Sequence, residues 1–367
     1  MKTLPLIFLT VLAGALHAAP AVEETVLWTS GADGYHTYRI PALLVTARGT
    51  VLAFCEGRKT SGGDHGDLDL LMKRSTDGGR TWSPQQVVHE EGGDAKVTIG
   101  NPCPVQDATT GTIWLPFCRD NKAVLITSSN DEGQTWNTPR DISPSVVPKD
   151  WSWVATGPGI GIQLRQGKHK GRLVIPSDQR VQMPDGTQRG SSHMIYSDDA
   201  GKTWRNSQPI EAGGNECQVI EREDGSLLVN TRMQGHFEGL RGIATSVDGG
   251  VTWTRIRQEE QLPCPKCQAS LLHLGQGRVL FSNPNPGVPF DGKDKGRRID
   301  LTVRLSTDDG KTWPVSRLLH AGPSAYSCLA TLPDGTVLCL YEGGARKSYE
   351  TLRLARFPLE WARAPRS

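Results

Sequence analysis

The octapeptide Ser75-Thr76-Asp77-Gly78-Gly79-Arg80-Thr81-Trp82 occurs, with small changes, five times in this chain. In each copy the aspartate can accept hydrogen bonds from backbone N–H groups of its own turn, the glycine can take positive φ, and the tryptophan leaves the turn as an apolar anchor. Each copy therefore predicts a hairpin turn fastened to a packed sheet. The other four copies are Ser129–Trp136, Ser197–Trp204, Ser246–Trp253 and Ser306–Trp313.

The spacing of the copies indicates how many strands lie between them. Their serines are 54, 68, 49 and 60 residues apart, which fits one four-stranded blade per copy with loops of unequal length. Seven strand-like apolar runs, most of them after a glycine turn, suit six blades if one blade lacks the octapeptide. We therefore predict an all-β, six-bladed β-propeller whose last blade lacks the octapeptide and is completed by the N-terminal strand near Val26.

The composition favours one large domain and no polyanionic partner. The chain has 367 residues with 41 glycines and 24 prolines, and the repeat spans almost all of it, so we expect residues 20–367 to form a single domain. The net charge of +2 has no sign bias, and neither a basic run nor a cationic amphipathic helix predicts binding to nucleic acid or to an anionic membrane. We expect a monomer.

Residues 1–19 have the composition of a secretory signal peptide. One lysine precedes an apolar stretch from Leu4 to Leu16, and small residues stand at Ala15, Ala18 and Ala19. The apolar stretch is shorter than the roughly 20 residues that span a bilayer. We therefore expect a secreted or periplasmic protein, and a disordered tail is the alternative.

Eight cysteines are few for a chain of this length, so we do not expect disulfides to hold the fold together. Several of them, such as Cys339 between Leu338 and Leu340, lie in apolar runs where cysteine packs as a small core residue. The pair Cys264-Pro-Lys-Cys267 could form half of a zinc site, but no second pair with ligand spacing follows. We expect neither a metal nor another cofactor.

Three arginines stand in blades that a closed ring would bring together. Arg39 lies in Tyr38-Arg39-Ile40-Pro41, Arg232 follows a strand-like run, and Arg298 is next to Arg297. Three guanidinium groups at one axis would repel each other, but together they can bind a carboxylate with the bidentate geometry that lysine lacks. We therefore predict a site for an anionic ligand. For Arg39 taken alone, a surface ion pair is the alternative.

These motifs resemble those of the exo-sialidase (neuraminidase) family over essentially the whole mature length. The octapeptide is similar to the Asp-box of the sialidase superfamily, which lies on the outer rim of each blade, away from the ligand, and which non-enzymatic propellers also carry. Besides the arginines and the Asp-boxes, the resemblance covers Gly63-Asp64-His65-Gly66-Asp67, Gly214-Asn215-Glu216-Cys217-Gln218, Ala325-Tyr326-Ser327 and Leu340-Tyr341-Glu342.

The resemblance implies a role for each matched residue. Arg58 is expected to contact the substrate or to brace Asp64, with a rim ion pair as the alternative. Arg297 and Arg304 are the other candidates for the third arginine. The arginine triad falls on Arg39, Arg232 and Arg298, the acid/base aspartate on Asp64, the nucleophilic tyrosine on Tyr326, its glutamate partner on Glu216, and the glutamate that braces the first arginine on Glu342.

The chemistry of sialic acid explains these residue types. Its anomeric carbon carries a carboxylate, which would repel a carboxylate nucleophile but not a neutral tyrosine that a glutamate base activates. We expect retaining hydrolysis of terminal α-linked sialic acids from glycoproteins, glycolipids and oligosaccharides. The alternatives are a catalytically silent propeller that binds acidic sugars, a trans-sialidase, and release of an anhydro product.

Each proposed catalytic residue also has a structural alternative. Tyr326 could be a core tyrosine, Glu216 a surface glutamate, and Asp64 a turn aspartate like its neighbours Asp67 and Asp69. A protein that only binds the sugar needs the arginines but not the Tyr326–Glu216 couple, so the presence of both favours an enzyme.

Overall fold

The computed structural model describes residues 21–234, 239–287 and 297–363, so the expected signal peptide lies outside the described residues. Within these ranges the chain is mainly strand, with helices only at α1 (Ser143–Val146) and α2 (Leu359–Arg363) and a 3-10 turn at Gly167–His169. The all-β prediction is confirmed. Neither of these helices is long and apolar enough to cross a membrane.

The strands are short, and glycine-rich turns separate many of them. In chain order they are β1 (Glu23–Thr29), β2 (Thr37–Val45), β3 (Val51–Arg58), β4 (Leu68–Ser75), β5 (Gln86–His89), β6 (Ile99–Gly100), β7 (Val105–Gln106), β8 (Ile113–Arg119), β9 (Ala123–Ser129), β10 (Arg140–Asp141), β11 (Trp151–Thr156), β12 (Ile162–Gln163), β13 (Leu173–Gln182), β14 (Gln188–Ser197), β15 (Arg205–Asn206), β16 (Gly214–Glu221), β17 (Leu227–Met233), β18 (Gly239–Ser246), β19 (Arg257–Cys264), β20 (Ser270–Gly275), β21 (Arg278–Pro284), β22 (Ile299–Ser306), β23 (Val315–Thr331), β24 (Val337–Gly343) and β25 (Thr351–Phe357).

The described strands form five antiparallel sheets. The first has the order β2-β3-β4-β5, and the second β6-β8-β9-β10 with β7 also on β8. The third has the order β11-β13-β14-β15 with β12 also on β13, and the fourth β16-β17-β18-β19. The fifth sheet has seven strands in the order β20-β21-β22-β23-β24-β25-β1.

The seven-stranded sheet is continuous because β23 is 17 residues long. Its first half pairs with β22 and its second half with β24, so two four-stranded groups share this strand. At the far edge β1 pairs with β25, with Glu23 opposite Arg356 and Val26 opposite Arg353. The predicted pairing of the N-terminal strand with the C-terminal strands is confirmed.

The sheets follow one another in a ring. β4 contacts β6, β8 contacts β11, β13 contacts β16, β16 contacts β20, and β23 contacts β2, so each sheet touches the next and the last touches the first. Such a radial order of antiparallel sheets is a propeller-like arrangement.

The apolar core is divided into layers between neighbouring sheets. Leu52 and Phe54 of the first sheet pack against Leu115 and Phe117 of the second, and equivalent clusters fill the other interfaces. Both faces of an inner strand are therefore buried, which explains the nearly continuous apolar runs in the sequence. The Asp-box tryptophans Trp82, Trp136, Trp204, Trp253 and Trp313 each pack in or against one of these clusters.

The Asp-box turns have the geometry that the octapeptide predicts. In the second copy, Asp131 Oδ1 accepts from Thr135 N (2.9 Å) and Ser129 Oγ (2.8 Å), and Asp131 Oδ2 accepts from Thr135 Oγ1 (2.6 Å). The other four copies have the same contacts. Although burial acts the other way, these hydrogen bonds lower the pKa of Asp131 to about 2.

All eight cysteines are buried free thiols, so no disulfide stabilises the fold. Burial raises the pKa of Cys118 to about 12 and, together with the charge of Asp178, that of Cys217 to about 12. These two thiols are therefore protonated, and Cys339 is a buried core residue, as the sequence predicted.

Asp131→Ala should lower the free energy of unfolding by about 1–3 kcal/mol, because the N–H of Thr135 loses its acceptor and the turn that carries Trp136 loosens. The measurement is urea unfolding of both proteins as a function of pH. The pKa of Asp131 is depressed, so its contribution is complete above pH 3.8 and is lost as pH falls towards about 2. The exposed loop residue Asp94 supplies the control, Asp94→Ala. Equal losses for the two variants would contradict the structural role of the turn.

Candidate active site

The hydroxyl of Tyr326 donates a short hydrogen bond to Glu216 Oε1 and lies between strands of two different sheets. Tyr326 is on β23 and Glu216 on β16, and both side chains are buried. Burial and the charge of Glu216 raise the pKa of Tyr326 well above its usual value. The phenol is therefore neutral, and a base that can take its proton already touches it.

Arg232, at the end of β17, contacts both members of this couple. Its Nη1 donates to Glu216 Oε2 (2.7 Å) and to Tyr326 Oη (3.1 Å). Arg232 Nε is buried and has no hydrogen-bond partner among the described residues. A guanidinium with an unused buried N–H can still bind an anionic ligand.

Arg39 and Glu342 join β2 to the last strands of the chain. Glu342 is fully buried, and its carboxylate accepts from Arg39 Nε (3.0 Å) and from the backbone N–H groups of Ile40 (2.9 Å) and Tyr326 (3.0 Å). The guanidinium of Arg39 lies 5.0 Å from the centre of the Tyr326 ring. One carboxylate thus orients the arginine and the backbone beside the tyrosine.

Arg298 is the third guanidinium at this ring, 5.4 Å from its centre. Its Nη1 donates to Tyr349 Oη (2.8 Å) and its Nη2 to the carbonyl of Lys266 (2.7 Å), both of them neutral acceptors. Arg304, an alternative from the sequence, is buried elsewhere against Asn283. The geometry therefore favours Arg298 as the third arginine.

Asp64 lies in the loop between β3 and β4, at the open side of the site. Its Oδ1 accepts from Arg58 Nη1 (2.8 Å) and Arg39 Nη1 (3.2 Å), while 70% of its side-chain surface remains exposed. Burial alone would raise the pKa of Asp64, but the charges of Arg58 and Arg39 outweigh it and lower the pKa. In the free protein this carboxylate is ionised, and it forms an ion pair with Arg39, one of the three arginines around Tyr326.

Arg58 fixes the tip of the same loop. It is 1% exposed, donates to Glu56 Oε2 (2.7 Å), and its Nη1 also bonds the carbonyls of Gly62 (2.8 Å) and Gly63 (2.9 Å). These contacts match bracing of Asp64, the second of the roles expected for Arg58, rather than a rim ion pair.

Asp67 and Asp69 stand at the base of the loop and face Lys59 instead of the tyrosine. Lys59 Nζ lies 3.2 Å from Asp67 Oδ1 and 3.4 Å from Asp69 Oδ2, and Tyr35 donates to Asp69 (2.6 Å). The two carboxylates fasten the ends of the loop, which separates them from Asp64 at its tip.

Irregularities in strand pairing aim three of these side chains. The register shifts between Arg39 and Ala42, between Gly214 and Cys217, and between Ser324 and Ser327. A bulge bends a strand locally and redirects the side chains beside it. Arg39, Glu216 and Tyr326 each lie at one of these bulges, so the shifts turn strand residues towards a common centre.

The site and the Asp-boxes occupy opposite ends of the sheets. The loop with Asp64 precedes β4 and the first Asp-box follows it. Eight strand residues separate the two by roughly 25 Å. This agrees with the rim position that the family resemblance implied for the Asp-boxes.

Sequence reasoning missed two residues in or beside this cluster, Tyr349 and Asp178. The ring of Tyr349 lies 4.1 Å from the guanidinium of Arg39, and its hydroxyl accepts from Arg298. Asn215 precedes Glu216, and its side chain donates to the buried carboxylate of Asp178 (2.8 Å). Tyr349 lies in a loop without repeat or spacing, and Asp178 lies in a strand, so neither gave a sequence signal.

One group in the described part of the chain has ligand atoms close enough for a metal ion, and it lies outside this cluster: Glu223, His273 and Asp309. The Nδ1 of His273 faces two N–H donors, Gly275 N (3.2 Å) and Arg165 Nη2 (3.3 Å), so its proton is on Nε2, which contacts Asp309 (3.0 Å). That tautomer offers no lone pair to an ion at Nε2. These residues fit a hydrogen-bond network better than a metal centre.

Comparisons with known proteins give the relatives of this chain. A family model described as a BNR repeat-like domain matches residues 49–339. A sialidase of Micromonospora viridifaciens is 34% identical over 371 residues, covering 93% of this chain and 54% of that protein. Sialidase-3 of Homo sapiens is 29% identical, with 88% of this chain and 89% of that protein covered.

Solved structures give the same relationship. A Hadza microbial sialidase superposes with a TM-score of 0.79 at 30% identity, covering 90% of this chain and 67% of that one. The chain spans about half the length of the Micromonospora relative and 63% of a Bacteroides fragilis sialidase that is 30% identical to it. The extent of the matches shows that this chain belongs to the sialidase family of BNR-repeat proteins.

Proposed function

We propose that the protein is an exo-α-sialidase that removes terminal α-linked sialic acids from glycoproteins, glycolipids and oligosaccharides with retention of configuration. The observation that carries the proposal is the buried, neutral Tyr326, hydrogen-bonded to Glu216 and surrounded by three guanidinium groups. A nucleophile of this kind suits an anomeric carbon that carries its own carboxylate.

The charge of the site supports a carboxylate ligand. Arg39 has Glu342 as a partner and Arg232 has Glu216, but the hydrogen bonds of Arg298 go to neutral oxygens. Three guanidinium groups around one ring can bind a planar anion, and among the described residues Arg298 has only neutral hydrogen-bond acceptors before such an anion binds. Sialic acid offers a carboxylate at the carbon that reacts.

The proposed reaction uses two displacements. Tyr326 Oη attacks the anomeric carbon and gives its proton to Glu216, while the glycosidic bond breaks and Asp64 protonates the departing oxygen. Asp64 then takes a proton from water, which attacks the same carbon, and Tyr326 leaves with the proton held by Glu216. Two inversions give net retention, and no cofactor is needed.

The ion pairs of Asp64 suggest how it becomes an acid. In the free protein it is ionised because Arg58 and Arg39 lower its pKa. A substrate carboxylate on Arg39 would compete for Nη1 and bring a like charge close to Asp64. Both changes raise the proton affinity of Asp64, so substrate binding would itself favour the protonated form that acts as the general acid.

Six blades is the count that the sheet order supports. The seven-stranded sheet consists of two four-stranded groups that share β23, and the other four sheets add one blade each. The last group, with β24, β25 and β1, is the one without an Asp-box. In this proposal residues 20–367 form one domain and act as a monomer.

The proposal includes export by the N-terminal segment. Residues 1–19 would act as a signal peptide and direct the protein to the periplasm or out of the cell, where sialylated glycans are accessible. This part rests on the sequence alone.

The function is tested by incubating the protein with a 4-methylumbelliferyl sialoside and with sialyllactose while following the products by proton NMR. The α-anomer of free sialic acid should be formed first, because two inversions restore the original configuration. A β-anomer formed first, an anhydro sugar or transfer to lactose would replace retaining hydrolysis with another reaction. Binding without any turnover would instead favour the catalytically silent alternative.

Tyr326→Phe should reduce kcat on sialyllactose at least 1000-fold, on the order of the loss seen when a catalytic nucleophile is removed. The ring still packs, so the variant should fold and bind sialic acid, which calorimetry can measure. Tyr341→Phe is the matched control, since Tyr341 is a buried tyrosine of β24 whose hydroxyl contacts Glu24. Near wild-type rates for Tyr326→Phe would remove it as the nucleophile.

Asp64→Ala should lose roughly 100-fold or more in kcat/KM on sialyllactose and distinctly less on an aryl sialoside. A general acid matters most when the departing oxygen is a poor leaving group, and a phenol needs little help. Asp69→Asn is the control, because its carboxylate faces Tyr35 and Lys59 and should affect both substrates alike. An equal loss on both substrates for Asp64→Ala would assign the acid/base role to another group.

A further inference from the structure

A further carboxyl group, that of Asp178, lies behind the Tyr326–Glu216 couple and bonds to Asn215, the neighbour of Glu216. Asp178 is in the middle of β13, is 1% exposed, and accepts one hydrogen bond, from Asn215 Nδ2 to its Oδ2 (2.8 Å). Its Oδ1 is buried without a hydrogen-bond partner in the described part of the chain. This carboxyl group has no role in the reaction scheme derived above.

No guanidinium or ammonium group of the described residues bonds to Asp178. Arg232 gives its Nη1 to Glu216 and Tyr326, and Arg180 lies on the ring of Trp153, 4.5 Å from its centre. The indole of Trp153 faces Asp178 without reaching hydrogen-bond geometry. The titratable and charged groups around Asp178 are Arg180 on its own strand, Glu216 and Cys217 on β16, Arg232 on β17 and Cys118 on β8.

The neighbourhood cannot stabilise two negative charges. Glu216 and Asp178 are both buried, and among the described residues the one guanidinium within hydrogen-bond distance of either is that of Arg232, on Glu216. An ionised carboxylate that is buried without a cation is strongly disfavoured. When two buried carboxyl groups lie close together, one of them therefore keeps its proton. Burial and the charge of Glu216 raise the pKa of Asp178 to about 7.

We propose that Asp178 is a positioning residue that keeps its proton while the enzyme works, and thereby leaves Arg232 to Glu216 and to the carboxylate of the substrate. The inference rests on the proposed sialidase function. A neutral Asp178 still accepts the hydrogen bond from Asn215, so it helps to hold the bulge that aims Glu216.

The same bulge is fixed from two sides. Ser192 Oγ donates to the carbonyl of Asn215 (2.6 Å), and the backbone N–H of Asn215 donates to Thr231 Oγ1 (3.2 Å). Asp178 adds the side-chain contact, which links the third sheet to the strand that carries Glu216. The hydrogen bond of Asp178 therefore helps to orient Glu216 through Asn215, whereas a negative charge on Asp178 would attract Arg232.

Loss of the proton should weaken substrate binding. Above pH 7 an ionised Asp178 would attract Arg232 and repel the substrate carboxylate, so KM would rise while the Tyr326–Glu216 contact remained. Asp178→Asn cannot ionise and has nearly the same shape. Its kcat/KM should therefore decline at a pH higher by about one unit or more than in the wild type, with the difference mainly in KM.

Stability provides a test that does not need activity. Because the pKa of Asp178 is raised from 3.8 to about 7, its contribution to stability is complete below pH 3.8 and is lost as pH rises through about 7. The Tm of Asp178→Asn relative to the wild type should therefore increase between these pH values, by about 3 °C or more. Glu221→Gln is the control, because Glu221 is also buried but its carboxylate accepts hydrogen bonds from the backbone N–H groups of Arg165 and Gln166, so this variant should lack the rise in Tm.

A third measurement uses the wild type alone, in case the variant does not fold. With aspartate carboxyl carbons enriched in ¹³C, one carboxyl resonance should titrate with a midpoint near 7. No aspartate titrating between about pH 6 and 8 would overturn the proposal. The proposal would also be overturned if kcat/KM of Asp178→Asn declined at the same alkaline pH as that of the wild type and the Tm difference between the two proteins did not change with pH. If the wild type lacks sialidase activity, the Tm and NMR measurements still decide the protonation of Asp178, and only its catalytic meaning falls with the proposed function.

Discussion

Three guanidinium groups held around the ring of one tyrosine are the constraint on which this structure depends. Like charges a few ångströms apart repel strongly in a poorly hydrated site, so each arginine needs a partner that also fixes its direction. Glu342 does this for Arg39 and Glu216 for Arg232, while Arg298 is held by Tyr349 and a backbone carbonyl. Of the three, Arg298 is the guanidinium whose hydrogen bonds go to neutral oxygens, so it can still bind an anion.

The ring of sheets makes this arrangement geometrically accessible. The three arginines come from three different sheets of the ring or from their edges, and no local segment could bring residues so far apart in sequence to one point. Bulges beside Arg39, Glu216 and Tyr326 then turn the side chains inwards. The apolar layers between the sheets and the five Asp-box turns at the far end keep the sheets in place. The Asp-box turns and the candidate active site thus lie at opposite ends of the same strands.

Much of this could be predicted from the sequence, and the reasons differ between fold and site. The Asp-box encodes its turn locally, since Ser, Asp, Gly and Thr bond within a few residues, so all five turns were predictable. The pairing of β1 with β25 followed from the need to cover an edge. The three arginines and an anionic ligand were argued from the residue types, whereas the catalytic roles came from family resemblance, because contacts such as that of Arg232 with Tyr326 join distant parts of the chain. Asp178 and Tyr349 had no signal, since burial and a missing partner are properties of packing. Arg298 was assigned by resemblance, and the structure adds that Arg304 is bonded to Asn283 instead.

The eight buried thiols have a consequence for how the chain reaches this state. In the folded protein all eight thiols are shielded, because a thiol without solvent access neither attacks a disulfide nor reacts readily with an oxidant. The unfolded chain has no such protection, and eight thiols can be paired completely in 105 ways, none of which the native structure uses. In an oxidising compartment the folding rate would therefore compete with disulfide formation. The β1–β25 pairing, which joins the two ends of the described chain, would be among the last contacts to form.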